Sequence, residues 1–393
     1  MNTIKQIKNL KNKTVLLRGD LDVPLENGKV ADDFRLKRLL SSIEYLVNKG
    51  AKVIIIGHLG RPGGKVVELL SVKPVAEELR KLLDVKKEEI KKLRNKEIKN
   101  CLLAQSGAKS AKNSDIVLFN HGILPLPGAQ GQDDVIGFPI TENIFLLENL
   151  RFYEGEEKND LKFAKALSEL GNIYVNDAFA NSHRKHASIV GITKYLPSYA
   201  GLNLEQEVKI LKKVMENPKR PAVAIMGGAK IETKLPLIER LAEKFDYVLV
   251  GGRLGMEIEK SQKLKACPEF AERVKSQKLW KNIILPLDYI GSGKYDIGER
   301  TIKLFSDILT NAKTVIWNGP LGKYEDKRYM KGTKEVAAAI INSDAYSVAG
   351  GGDIISALDK LNMTDEFDFI STGGGAMLEF LEKGSLLGLE ILG

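Results

Sequence analysis

Apolar runs of four or five residues recur along the chain, and most are followed at once by a turn rich in glycine, asparagine or aspartate. Thr14-Val-Leu-Leu17 leads into Arg18-Gly-Asp-Leu-Asp-Val-Pro24. Lys52-Val-Ile-Ile-Ile56 leads into Gly57-His-Leu-Gly-Arg61. Ile144-Phe-Leu-Leu147 leads into Glu148-Asn-Leu-Arg151, and Asn172-Ile-Tyr-Val175 into Asn176-Asp-Ala-Phe179. Runs of this length and composition read as strands buried on both faces. Apolar positions at helical spacing predict helices over residues 36–48, 72–83 and 161–170. Strand, turn and helix in alternation is the pattern of a parallel α/β sheet.

The second half repeats it. Six strands are expected, starting near Ala222, Tyr247, Asn282, Thr314, Ala345 and Phe367. Glycine turns follow most of them: Gly227-Gly-Ala-Lys230, Gly251-Gly-Arg-Leu-Gly255, Asn318-Gly-Pro-Leu-Gly-Lys323, Gly350-Gly-Gly-Asp353 and Ser371-Thr-Gly-Gly-Gly375. Glycine lets backbone N–H groups approach an anion with no Cβ in the way, and a helix start adds unpaired N–H groups. The last two turns therefore read as phosphate sites. Asp353, beside the first of them, either caps a helix or holds a cation that bridges phosphates.

Between the halves, residues 205–216 read as a helix, and Asn217-Pro-Lys-Arg-Pro221 breaks the chain after it. Residues 104–132 differ from the rest. Their Ser-Gly, Pro-Gly and Gly-Gln pairs read as loop, with one strand at the apolar patch Asp115–Phe119.

At 393 residues, with 43% hydrophobic and 28% charged positions, two soluble domains are expected. No apolar run is long enough to span a bilayer. The start, Met1-Asn-Thr-Ile-Lys-Gln6, has no signal-peptide core. Cys101 and Cys267 show no metal-ligand spacing. A cytoplasmic protein with no membrane partner is expected. The net charge of +9 admits nucleic-acid binding, but no RNA-binding signature or interleaved aromatics accompany it. No nucleic-acid partner is therefore expected, and strongly salt-dependent retention on DNA or RNA would reveal one.

In open α/β sheets, ligands sit outside the carboxyl ends of the strands. The residues just past those ends in the first half are Asp20, Asp22, His58, Arg61, Arg151, His183 and Arg184, with Arg35 at a helix start. Arginine's planar fork suits carboxylate and phosphate oxygens. The first half thus reads as a site for a small, multiply anionic substrate. The second half carries lysines, Lys230 and Lys234, beside glycine turns, as a nucleotide site would. The P-loop, the dinucleotide-binding G-x-G-x-x-G, H-E-x-x-H and G-x-S-x-G are all absent.

These stretches together resemble the phosphoglycerate kinase family nearly end to end. The match is carried by Arg18-Gly-Asp-Leu-Asp-Val-Pro-Leu25, Gly57-His-Leu-Gly-Arg-Pro62, Leu147-Glu-Asn-Leu-Arg-Phe152, Val175-Asn-Asp-Ala-Phe179 with His183-Arg184, Met226-Gly-Gly-Ala-Lys230, Trp317-Asn-Gly-Pro320, Gly350-Gly-Gly-Asp353 and Ser371-Thr-Gly-Gly-Gly-Ala376. The resemblance implies two Rossmann-like α/β domains with parallel sheets, joined by a connector helix and hinge, and a C-terminal tail returning to the first domain. The implied bounds are 1–186, a connector over 187–217, 218–376, and a tail over 377–393.

The resemblance further implies reversible phosphoryl transfer between 1,3-bisphosphoglycerate and ADP, giving 3-phosphoglycerate and ATP, by a monomer using Mg²⁺ as Mg-ATP or Mg-ADP. The implied substrate-binding residues are Asp20, Leu21, Asp22, Arg35, His58, Leu59, Gly60, Arg61, Arg151 and Arg184. Those for nucleotide are Gly228, Ala229, Lys234, Asn318, Glu325, Gly351, Gly352, Asp353 and Ile354, with Asp353 on the metal. Arg35, Lys230, Gly373 and Gly374 would flank the phosphoryl in flight, and closure of the two domains would bring the ligands into line. A kinase for a different small carboxylate is the neighbouring alternative.

The chain departs from the family pattern at several positions. Asp22 stands where asparagine is usual. A carboxylate there would repel an anion by up to about 4 kcal/mol at ~4 Å, so either Arg18 or another cation neutralises it or it points away. Ile354 replaces a usual threonine, which leaves backbone N–H groups to hold phosphate. Arg253 interrupts a glycine run, Lys323-Tyr324 alter a nucleotide wall, and residues 104–132 read as an insertion.

Overall fold

The computed structural model describes residues 1–85, 109–110, 117–120, 134–228, 234–264 and 281–392. The chain forms two compact units, Met1–Glu207 with Leu386–Gly393, and Val208–Ser385. The division falls inside one helix, Leu202–Glu216.

The first unit is built on an eight-stranded sheet. Its order is Ser198–Ala200, Ile173–Asn176, Thr14–Arg18, Lys52–Ile56, Ile144–Leu147, Asp134–Pro139, Val117–Asn120, Lys109–Ser110. The first five are parallel to one another. In the central strands Val15, Leu16, Leu17, Val53, Ile54, Ile55 and Ile56 are all buried, as continuous apolar runs between two helical layers should be. Helix Phe34–Asn48 buries Leu36, Leu39, Ile43 and Leu46, one face at 3.6-residue spacing, and ends beside Gly50 at φ +79°. Helix Leu161–Ser168 starts on Asp160, whose side chain accepts the Phe163 N–H at 2.8 Å.

Two features here go beyond the sequence reading. Ser198–Ala200 adds a three-residue parallel edge strand, too short to show as an apolar run. Of the segment read as loop with one strand, only residues 109–110 and 117–120 are described, and these form two strands. Val117–Asn120 pairs antiparallel with both Asp134–Pro139 and Lys109–Ser110, so this part extends the parallel body as an antiparallel edge.

The C-terminal residues belong to this unit. The Asn2 N–H donates to the Leu392 carbonyl at 2.8 Å, and the Gly388 N–H donates to the Ser182 carbonyl at 2.7 Å.

In the second unit all six expected strands form, as Ala222–Met226, Tyr247–Val250, Ile283–Ile284, Thr314–Asn318, Tyr346–Gly350 and Phe369–Ser371. They pair wholly parallel. Numbered 1 to 6 in chain order, they lie 3-2-1-4-5-6 across the sheet, the doubly wound Rossmann order. Helices Leu235–Lys244, Glu299–Leu309, Lys331–Ile341, Gly352–Lys360 and Gly374–Lys383 cover it, each burying an apolar stripe. Among the described residues, no helix is long and apolar enough to cross a membrane.

Candidate active site

In the first unit the sheet winds outward in both directions from Thr14–Arg18, which pairs with Lys52–Ile56 on one side and Ile173–Asn176 on the other. Its carboxyl end is the topological switch point, where such folds bind ligands. The loop leaving it carries Asp20, Leu21 and Asp22. Buried Asp20 accepts from Arg35 Nη1 at 3.2 Å, and the same nitrogen donates to the Asp22 carbonyl at 3.0 Å. Burial pushes the Asp20 carboxyl above its ordinary value, with Arg35 acting against it. Leu21 and Leu59 are buried and anchor the two loops from below.

The Asp22 carboxylate accepts the Gly60 N–H at 2.9 Å, and its second oxygen lies 3.8 Å from His58 Nε2. Its partners are thus the neighbouring loop and a histidine, rather than Arg18. Arg18 instead lies fully buried, with Nη2 3.0 Å from His58 Nδ1, Nε donating to Ser188 Oγ at 2.9 Å, and Nη1 donating to the Gly19 carbonyl. Guanidinium has donors only, so His58 Nδ1 accepts and the ring proton sits on Nε2, facing Asp22. Burial, and after it the charges of Arg18 and Arg151, push His58 well below the usual histidine range, so the ring is neutral.

The end of Ile144–Leu147 clamps this loop from the other side. Glu148 accepts from Ser71 Oγ and the Val72 N–H, at 2.8 and 2.9 Å. Asn149 Nδ2 donates to the carbonyls of Leu59 and Leu70, at 2.7 and 2.9 Å. Arg151, buried, donates from Nη1 to the Gly60 carbonyl at 2.8 Å, with Nε 3.2 Å from Glu157 Oε1. Its Nη2, and Nε of half-buried Arg184, are buried without a hydrogen-bond partner. The Arg184 charge acts on both Arg151 and His58. Asp20, Asp22, Arg35, His58, Gly60, Arg151 and Arg184 therefore meet at one sheet end. Arg61 follows Gly60 on the same loop and is exposed.

In the second unit the switch point lies between Ala222–Met226 and Thr314–Asn318. Backbone contacts join the loops that leave these two strands. The Gly227 N–H donates to the Asn318 carbonyl at 2.8 Å, and the Gly228 N–H to the Pro320 carbonyl at 3.1 Å. A Cβ on Gly227 would lie 2.2 Å from the Pro320 oxygen, so this glycine serves close packing of the two turns. Asn318 is buried at the strand end. Its Nδ2 donates to the Gly350 carbonyl at 2.6 Å, and its Oδ1 accepts from Lys234 Nζ at 3.2 Å. Lys234 also donates to the Gly227 carbonyl at 2.7 Å, which leaves one of its three protons for a ligand. Burial pushes Lys234 down to about 8, with Asp353 acting the other way. Ala229 and Lys230 lie outside the described residues.

Gly351, at φ +117°, turns the chain from Tyr346–Gly350 into helix Gly352–Lys360 and occupies the N-cap, with no side-chain cap bond. Asp353 is therefore not the cap. Its carboxylate is exposed in the first turn, with Tyr324 Oη 3.4 Å from Oδ1. Helix geometry leaves the Gly352, Asp353 and Ile354 N–H groups without acceptors. The Ile354 side chain is wholly in the core. A Cβ on Gly352 would meet nothing within 4 Å, so packing does not require glycine there. At the second turn the Gly373 N–H donates to Ser371 Oγ at 3.2 Å, and Gly374, at φ +38°, opens helix Gly374–Lys383. Glu325 is exposed on the loop after Leu321.

Asp353 offers a single exposed carboxylate, and among the described residues no cluster of metal-ligating side chains surrounds it. A lone carboxylate is the type of ligand that suits Mg²⁺, an ion that takes one or two carboxylates and completes its shell with phosphate and water.

Sequence reasoning missed Glu148, Asn149, Glu156 and Ser188 as supports of the site. Glu148 and Asn149 stand in the Leu147–Phe152 motif. Glu156 lies in the stretch Glu154–Glu157, where no local signal singles it out.

The family model described as phosphoglycerate kinase matches residues 4–120, 139–292 and 269–384. The phosphoglycerate kinase of Borreliella afzelii is 36% identical, with 100% of this chain and 99% of the relative covered. That of Borreliella burgdorferi is also 36% identical at the same coverage. The structure of phosphoglycerate kinase from Coxiella burnetii is 32% identical with a TM-score of 0.75, covering 99% of this chain and 98% of that one. The crystal structure of phosphoglycerate kinase from Pyrococcus horikoshii OT3 is 29% identical with a TM-score of 0.74, covering 100% and 98%. On the full-length family match and on relatives aligned from end to end, the chain belongs to the phosphoglycerate kinase family.

Proposed function

We propose that the chain catalyses reversible transfer of a phosphoryl group between 1,3-bisphosphoglycerate and ADP, giving 3-phosphoglycerate and ATP. The observation that carries this is the pair of buried guanidinium donors without partners, Arg151 Nη2 and Arg184 Nε, beside a neutral His58 at a switch point. Buried donors without acceptors are rare in native proteins, and a small polyanion supplies acceptors for them. Asp20, Leu21, Asp22, Arg35, His58, Leu59, Gly60, Arg61, Arg151 and Arg184 form the acid site in this reading. Gly228, Ala229, Lys234, Asn318, Glu325, Gly351, Gly352, Asp353 and Ile354 hold the nucleotide.

Phosphoryl transfer asks for alignment and charge neutralisation more than for a nucleophilic side chain. Arg35, Lys230, Gly373 and Gly374 are assigned to the phosphoryl group in flight. The Asp353 carboxylate would hold Mg²⁺, which neutralises phosphate charge when bound. Asp22 supports the acid site through the Gly60 N–H, which orients the loop carrying His58. The protein is proposed to act as a cytoplasmic monomer on these small molecules, without nucleic-acid or membrane partners.

A coupled assay tests the reading. ADP should form only when 3-phosphoglycerate, ATP and Mg²⁺ are all present. Equal ADP formation without the acid, or faster turnover with another small carboxylate, would refute it.

A further inference from the structure

Below the acid site, a line of buried hydrogen bonds ends on two residues outside the strand tips. Glu156, on the short helix Glu154–Glu157, is fully buried. Both of its carboxylate oxygens are taken by Ser188: the backbone N–H donates to Oε2 at 2.9 Å, and the hydroxyl donates to Oε1 at 2.6 Å. Ser188 Oγ accepts in turn from Arg18 Nε at 2.9 Å, and Arg18 Nη2 lies 3.0 Å from His58 Nδ1. Ser188 is pinned further through its carbonyl, which accepts from Tyr174 Oη at 2.6 Å, and the Ala187 N–H donates to the Glu156 carbonyl at 2.9 Å.

Every bond in this line has its direction set by chemistry. Arginine has only donors, so the serine oxygen must accept from Arg18 and its one proton must go to Glu156. At the other end His58 must accept at Nδ1 and keep its proton on Nε2, the nitrogen that faces Asp22. The carboxylate is needed because two donors of one residue converge on it. An amide in its place would turn N–H₂ toward one of them and force the serine hydroxyl to rotate. The direct partners of Arg18 are all neutral, and Glu156 is the carboxylate that the serine connects to it.

We propose that Glu156 and Ser188 are positioning residues for the acid substrate. Acting through Arg18, they hold His58 in its Nε2-protonated form, with that proton aimed at the Asp22–Gly60 edge. The part of this that concerns the substrate rests on the functional reading above. The histidine tautomer does not.

The test uses the full chain labelled with ¹⁵N-histidine, with the His58 signals assigned from a His58→Asn control. In the parent at pH 7, His58 should show a protonated Nε2 and an unprotonated Nδ1. In Ser188→Ala and Glu156→Gln the two tautomers should mix. The KM for 3-phosphoglycerate should rise about tenfold, while the KM for ATP stays within about twofold of the parent. Ser188→Thr, which keeps the hydroxyl, should restore the single tautomer. A purely structural role would lower the melting temperature and leave the tautomer and the KM ratio as they were. That outcome, in whichever of the two variants folds, overturns the proposal. If the parent fails to turn over 3-phosphoglycerate while the tautomers still redistribute, the functional reading falls and the positioning of His58 stands.

Discussion

Lys234 donates from Nζ to the side-chain oxygen of Asn318 at 3.2 Å, joining the start of helix Leu235–Lys244 to a strand end 84 positions away in sequence. The bond holds a cation at the switch point of the second sheet, and burial there sets when that cation is charged.

Because burial brings Lys234 down to about 8, the unliganded protein loses this charge as pH rises through that value. Phosphates favour the protonated form. The kcat/KM for nucleotide should therefore fall above about pH 8, by up to tenfold per unit. The kcat should hold to higher pH, because bound phosphate raises the lysine again. Lys234→Arg cannot deprotonate and should lack the decline. The same pH profile in parent and variant would show that another group is responsible.

Asp353 sits in the first turn of helix Gly352–Lys360 and does not cap it. Asp353→Asn should then cost less than ~1 kcal/mol of stability, the loss of one charge near a helix N-terminus. Turnover should fall by about 10²-fold or more. Thermal melting and a Mg²⁺ titration of activity check the two halves. Unchanged turnover at saturating Mg²⁺ would remove Asp353 from the metal role.

Arg151→Ala deletes the donor to the Gly60 carbonyl and the unpartnered Nη2 together. Binding of 3-phosphoglycerate should weaken by about 10–100-fold, as for a lost charge-assisted hydrogen bond. ATP binding should be nearly unchanged. Calorimetry with each ligand alone decides it, and equal losses for both would place Arg151 outside the acid site.

Asp177 is buried past the end of Ile173–Asn176, where Oδ1 accepts the Leu204 N–H at 2.9 Å and Oδ2 has no hydrogen-bond partner. Burial pushes its carboxyl up to about 7. The folded state then holds a proton that the unfolded state has released between about pH 4 and 7. This group's contribution to stability is present at low pH and lost as pH rises through about 7, at up to ~1.4 kcal/mol per pH unit. Asp177→Asn should flatten that slope and be more stable than the parent at pH 8. Chemical unfolding of both proteins at pH 5 and pH 8 measures it, and an identical difference at the two values would mean that Asp177 is ionised throughout.

The strands and helices were legible in the sequence because their signals are local. Fully buried strands such as Lys52–Ile56 show as unbroken apolar runs, and helices such as Phe34–Asn48 as a 3.6-residue stripe. So was the neighbourhood of the site, since in parallel α/β sheets ligands meet the carboxyl ends of strands. That rule pointed to Asp20, His58 and Arg151, while Arg35 was singled out at a helix start, and the structure brings the four together at one sheet end. Edge strands were not legible: Ser198–Ala200 and Lys109–Ser110 are too short to carry a pattern and form only by pairing with a neighbour.

What only the tertiary structure decided is which polar groups answer one another. The sequence alone left Asp353 between cap and metal ligand, and the backbone at Gly351 removed the cap. It left Asp22 to be neutralised by a cation or turned away, and the Gly60 N–H took it instead. Glu156 is fully buried, with both of its oxygens filled by Ser188, 32 residues further on. Burial of a charge is settled by partners brought together from distant parts of the chain, and no local pattern encodes them.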